Sequence, residues 1–294
     1  MRHYRLFLTS VRNENCSFCS VKDDPFVSLS FLDAVTLLRE ARRKGADYLS
    51  IDGGEVTMTS YFTKLIQRSV SLGFKKIVVN TNGFGFRNRD FTETVLEERQ
   101  HILRICISLY GHNKRVHDRL TNVKGSFDAT IKAIKNITDM RGDLVASLVV
   151  CSENFPFLKK YIGTLKRLKI KTVIISFVAV EDDVLWKPSF VPDIRDTIPF
   201  LQKAIDYANT KNISISLVFF PFCVLGKYYT EYATERYAGN RYKNQKEFFK
   251  GKHISKQCFG CTYYNSCPGV WEEYYKLRGF RFRPVSARLH ESSN

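Results

Sequence analysis

Up to about residue 220 the chain repeats one cadence: an amphipathic helix, a glycine or basic turn, then an apolar β-branched strand. The strand-like runs are YRLFLTS (4–10), DYLSID (47–52), KIVVNT (76–81), RICISLY (104–110), LVASLVV (144–150), TVIISFV (172–178) and ISISLVF (213–219). Between them lie helical patterns. FLDAVTLLREARRKG closes on Gly45 and SYFTKLIQRSVSLG on Gly73, each a residue suited to the left-handed step after a helix. SFDATIKAIKNIT predicts a helix capped by Ser126, and FPFLKKYIGTLKRL and IRDTIPFLQKAIDYANT complete the set. Strands alternating with helices dictate βαβ units and a parallel sheet, here an open or partial (βα) barrel. Chemistry in such folds sits at the C-terminal ends of the strands.

Past residue 220 the cadence stops. The remainder is polar, basic and tyrosine-rich until CFGCTYYNSCPGVWEEYYKLRGFRFRPV. So few apolar residues predict a small module held by its cysteines rather than by a core. The expected domains are therefore 1–220 and 221–294. No apolar run is long enough to span a bilayer. The first residues, MRHYRLFLTS, run straight into a strand pattern, which predicts a cytoplasmic chain with no membrane partner. Eight cysteines in that compartment argue against a disulfide framework and for metal or redox use where spacing is tight. Spacing is tight at Cys16/Cys19 and at Cys258/Cys261/Cys267. Cys106 and Cys151 lie within apolar strands and read as ordinary buried residues.

The residues that follow the strands carry the chemistry. Strand one leads into TSVRNENCSFC, strand two into Gly53-Gly54-Glu55, strand three into Asn80-Thr81-Asn82-Gly83, and strand four into Ser108 and then HDRLTNVKGSFD. Two adjacent glycines permit a tight turn and close backbone approach, and Glu55 would place a carboxylate at the barrel mouth, suited to an ammonium group.

In this order the sequence resembles the radical S-adenosylmethionine (radical SAM) enzymes over essentially its whole length. LTSVRNENCSFC matches the family's C-x3-C-x2-C loop, IDGGEVT its GGEPT-like motif, VVNTNG its TNG strand, and ISLYG…HDRLTNVKGSFD its fourth-strand segment. The resemblance implies a partial (βα)6 barrel. It also implies a [4Fe–4S] cluster that binds S-adenosylmethionine and, on reduction, releases a 5′-deoxyadenosyl radical. Cys16 and Cys19 match cluster ligands, and Phe18 matches the aromatic beside the adenine. Gly53, Gly54 and Glu55 match the loop that holds the methionine amine. Asn82 and Ser108 match polar positions around ribose and methionine, and Arg119 is a candidate for the methionine carboxylate. Val56 departs from the usual proline. The tail resembles the family's auxiliary-cluster domains, called SPASM or twitch. Cys258, Cys261 and Cys267 meet its C-x2-C-x5-C pattern, with Cys223 as fourth ligand; Trp271 stands where a further cysteine would follow, so one auxiliary [4Fe–4S] cluster is expected. Four thiolates also suit zinc.

Arg12 stands at the family's first cysteine. A guanidinium offers no lone pair, so two thiolates remain and the cluster should be labile. Three accounts are open: an isolated change in a working enzyme, a degenerate noncatalytic binding protein that keeps the auxiliary cluster, or a third ligand from Glu14, Asp23 or Asp24. The resemblance implies a peptide or small-molecule substrate. The net charge of +17 suits an acidic leader peptide or an acidic electron donor such as flavodoxin or ferredoxin. Residues 227–256 mix tyrosine with basic residues, but no nucleic-acid recognition motif accompanies them, and they read as a solvated loop.

Overall fold

The structure is a computed structural model that describes residues 2–19, 28–97, 101–179, 188–234, 251–279 and 281–285. Seven strands form one sheet: β1 (Arg2–Thr9), β2 (Ala46–Gly53), β3 (Lys76–Thr81), β4 (Leu103–Ser108), β5 (Asp143–Val150), β6 (Thr172–Phe177) and β7 (Ser214–Val218). Their order in the sheet is their order in the chain, and the pairings from β1 through β5 are parallel. The α/β class and the barrel-type parallel sheet are as expected. The sheet carries seven strands, one more than the six implied by the resemblance.

The intervening helices are α1 (Phe31–Arg43), α2 (Phe62–Ser71), α3 (Arg89–Leu96), α4 (Lys114–Thr121), α5 (Ser126–Asp139), α6 (Leu158–Arg167) and α7 (Ile194–Thr210). Packing divides the chain into two compact units, 1–148 with 163–172, and 149–162 with 173–294.

In the first unit the register aligns Leu6, Ile51, Val79, Ile105 and Leu144 across five strands, and all five are buried. Alternate positions are polar. Asp52 accepts from Arg5 Nε at 2.7 Å and from Asn80 Nδ2. Alternation of apolar and polar faces is what period-two side-chain geometry imposes on a strand. α1 and α2 end as the sequence predicts, with Gly45 at φ +85° and Gly73 at φ +83° just beyond them.

The start of α5 differs from expectation. Ser126 is its first helical residue, not its cap; the cap position is Gly125, at φ +87°. A carboxylate from α4 does the capping. Asp118 accepts from the N–H of Gly125 at 2.7 Å and of Phe127 at 2.8 Å, and from Ser126 Oγ at 2.9 Å. These donors hold its pKa below the usual carboxylate range.

In the second unit a short helix α8 (Phe222–Leu225) follows β7. Two two-residue strands, β8 (Lys252–His253) and β9 (Val270–Trp271), pair antiparallel ahead of α9 (Glu272–Arg278). Tyr274 of α9 is buried, and its hydroxyl accepts from the Ile194 N–H at the start of α7, 3.0 Å away. No helix among the described residues is long and apolar enough to cross a membrane.

Candidate active site

Main-chain bonds fix the loop after β1. The Gly54 N–H donates to the Thr9 carbonyl at 2.6 Å and the Glu55 N–H to the Val11 carbonyl at 2.7 Å. A Cβ on Gly53 would overlap Thr9 O, and one on Gly54 would overlap Val11 O. The two glycines are therefore demanded by the closeness of the two chains. Beyond Arg12 the loop is tied again. Asn13 Oδ1 accepts from Asn82 Nδ2 at 2.9 Å, and the N–H groups of Asn15 and Ser17 donate to Thr121 O at 3.0 Å and Leu120 O at 2.9 Å. Asn122, left-handed at φ 55° after α4, sends its amide to Asn15 O at 2.7 Å and Ser17 Oγ at 3.1 Å. β2, β3 and the end of α4 thus converge on the cysteine loop.

Glu55 does not offer a free carboxylate. It is 1% exposed and caps the short 3-10 turn Val56–Met58. One oxygen accepts from the Thr57 N–H at 3.0 Å, from Thr57 Oγ1, and from Thr81 Oγ1 at 2.6 Å; the other accepts from the Asn82 N–H at 2.7 Å. Burial pushes its pKa up, and these donors oppose the shift.

The carboxylate that faces the cysteines belongs to Glu14. Its Oε2 lies 3.7 Å from Cys16 Sγ. Burial, then the charge of Glu55, pushes Glu14 up to about 7, and burial followed by Glu14 pushes the Cys16 thiol up. Cys19 turns back on Cys16, its N–H reaching Cys16 O at 3.3 Å. Phe18 is buried, edge-on to Tyr110 with ring centres 4.7 Å apart. The Tyr110 phenol is buried beside Ser108 and the two thiols, and burial first and Cys16 second raise its pKa well above the usual value. A cavity of about 110 Å³ adjoins the loop, lined by Asn13, Glu14, Asn82, Arg87, Lys124 and Ser126 among others. Arg119 is exposed on α4 and does not line it. Asp23 and Asp24 lie outside the described residues.

In the second unit Cys223, Cys258, Cys261 and Cys267 line one small, largely apolar cavity of about 30 Å³. Burial, followed by the three other thiols, pushes Cys223 up to about 12. The Phe222 N–H points at Cys267 Sγ, 3.4 Å away. Among the described residues no three His, Cys, Asp or Glu side chains close on a single metal ion. Ligands on separate irons of a cluster stand farther apart than ligands of one ion. Four convergent thiols around a shared apolar space fit a cluster's donor set. Residues 235–250 of the basic tail lie outside the described residues.

Arg87 and Lys124 at the first site are given no role by the sequence, and Tyr110 is marked only as part of the stretch 108–111 after strand four. Its position, two residues beyond Ser108 at the end of a strand, is its only signal.

Residues 13–155 match the family model of the Radical SAM superfamily. Over this segment the chain is similar to a radical SAM domain. The match begins one residue after Arg12. The chain is 26% identical over 139 residues to the probable GTP 3′,8-cyclase of Saccharolobus islandicus (strain M.14.25 / Kamchatka #1), covering 46% of this chain and 43% of that one. It is 32% identical over 145 residues to the antilisterial bacteriocin subtilosin biosynthesis protein AlbA of Bacillus subtilis (strain 168), covering 47% and 30%. The chain thus spans less than half the length of these curated relatives. The solved structure of native anSMEcpe with bound AdoMet and Kp18Cys peptide shares the fold beyond the matched segment, with TM-score 0.59, 16% identity, and coverage of 89% of this chain and 71% of that one.

Proposed function

We propose that the chain is a radical SAM enzyme that modifies a peptide, with a barrel over 1–220 and an auxiliary [4Fe–4S] cluster module over 221–294. When bound and reduced, the first cluster supplies the electron that cleaves S-adenosylmethionine to methionine and a 5′-deoxyadenosyl radical.

The observation that carries this reading is the main-chain pairing of the Gly53–Glu55 turn with Thr9–Val11. It brings the cysteine loop, the glycine turn and Asn82 to one end of the sheet. Cys16 and Cys19 hold the cluster. The Gly53–Glu55 backbone receives the methionine amine, while the Glu55 side chain holds the turn in shape. Asn82 and Ser108 offer polar groups around ribose and methionine, and Phe18 packs beside the adenine. Arg87 and Lys124 line the adjoining cavity and meet the need for a cation against the methionine carboxylate better than exposed Arg119. Cys223, Cys258, Cys261 and Cys267 hold the auxiliary cluster.

Two comparisons support a peptide substrate: AlbA is a subtilosin biosynthesis protein, and anSMEcpe was solved with a peptide bound. The charge of +17 suits an acidic leader segment and an acidic donor, flavodoxin or ferredoxin.

Anaerobic reconstitution followed by reduction with S-adenosylmethionine tests the reading. The chain should bind about eight irons and form 5′-deoxyadenosine, and Cys16→Ser should abolish formation while keeping about four irons. Full iron loading with no 5′-deoxyadenosine would sink it.

A further inference from the structure

The first cluster needs three protein donors, and the loop has two thiols. Arg12, at the expected third position, has no lone pair to give. Among the described residues, Glu55 and Asp118 are engaged by several donors each, and His117 is engaged at Nδ1 while its buried Nε2 has no hydrogen-bond partner. Glu55 accepts four hydrogen bonds. Asp118 is held by the start of α5 through three donors. His117 Nδ1 accepts from the Tyr110 N–H at 3.1 Å.

Glu14 is engaged as well, by the Asn82 side chain and by a thiol of the site itself, Cys16. Its carboxylate meets the Cys16 thiol at 3.7 Å and lines the cavity that Asn82 also lines. It carries no ion pair with a lysine or arginine among the described residues, and the charges that act on it are those of acids, Glu55 and then Asp118. A half-buried carboxylate set beside other acids favours a cation. The loop cannot readily swing it away. Asn13 is bonded to Asn82 on one side, and Asn15 to Thr121 on the other.

We propose that Glu14 is the third protein ligand of the cluster held by Cys16 and Cys19, its carboxylate replacing the thiolate that Arg12 cannot supply. This rests on the reading of the loop as a cluster site. The ligand reaches the site from two residues before Cys16 instead of four, so the spacing changes while the number of donors does not. An oxygen donor is harder than a thiolate, so the iron it holds carries a distinct spectroscopic signature.

The test uses the full chain, reconstituted anaerobically with iron and sulfide. Iron is counted, and the reduced clusters are read by electron paramagnetic resonance, with the tail cluster as internal standard. The unaltered chain should hold about eight irons, and Cys16→Ser and Glu14→Gln about four each. Glu14→Cys should recover about eight, with the loop cluster's g-values shifted from those of the unaltered chain. Glu14→Gln that keeps full iron and an unchanged spectrum overturns the ligand assignment and leaves the cluster site standing. Iron lost in Glu14→Gln and not recovered in Glu14→Cys overturns it as well, since Glu14 would then only position the loop. If Cys16→Ser loses no iron, the loop is no cluster site, and the underlying reading fails with the proposal.

Discussion

At residue scale, Glu55 and His117 show how far a side chain's role depends on partners remote in sequence. Glu55→Gln keeps the shape but turns an amide toward groups that donate, so at least one buried donor loses its acceptor. Chemical denaturation should show a loss of about 1.5–3 kcal/mol, with the loop amides of Val11–Glu14 exchanging faster. His117 is buried, and its pKa falls from 6.5 to about 4, chiefly by burial. The Tyr110 N–H donates to Nδ1, so the neutral ring carries its proton on Nε2. The folded state thus resists protonation that the unfolded chain accepts. Stability is complete above pH 6.5 and drains away as the pH falls toward about 4, by about 3 kcal/mol in all. His117→Phe should remove about one proton from the uptake on unfolding near pH 5.5, read as a flatter stability-against-pH curve. The glycines and cysteines were legible in the sequence because their chemistry is local. Glu55's true engagement was not, since Thr57 and Thr81 become its donors only once β3 lies beside β2.

At the scale of elements, the cap on α5 comes from another helix. Asp118→Ala should destabilise the protein by about 1–2 kcal/mol, measured by thermal or urea denaturation, because three donors at the start of α5 lose their acceptor. Ser126→Ala should cost less, as its hydroxyl is one of those donors and not the cap. The strands were legible almost to the residue: each is a short β-branched run bounded by turns. α3 and α4 were not. α4 reads KRVHDRLT, with Val116 and Leu120 its only aliphatic residues, one turn apart, and two residues over a single pair of turns are too few to establish a period. α3 spans eight residues and follows a 3-10 turn, too short for a pattern to emerge.

For the whole molecule, the net charge of +17 acts at a distance. Binding of an acidic peptide or of reduced flavodoxin should weaken steeply between about 50 and 300 mM salt, mainly through a slower association rate. A titration that is flat in salt would leave the charge with no role in recognition. The order of the sheet was open to inference from sequence, because βαβ connections place successive strands side by side. That Cys258, Cys261 and Cys267 share one cavity was legible from their spacing, and Cys223, expected as the fourth from the sequence, lines the same cavity from α8 directly after β7.

The path of the loop after β1 is written in its backbone. Carbonyls and amides pair across to Gly54 and Glu55, and two glycines leave the space that pairing needs. Such a scaffold is indifferent to which side chains ride on it. Selection can exchange a side chain at position 12 without disturbing those at 14, 16 or 19. If Glu14 supplies the third donor, the number of donors facing the site is kept while one position moves, and a search that insists on fixed cysteine spacing would pass over such a chain.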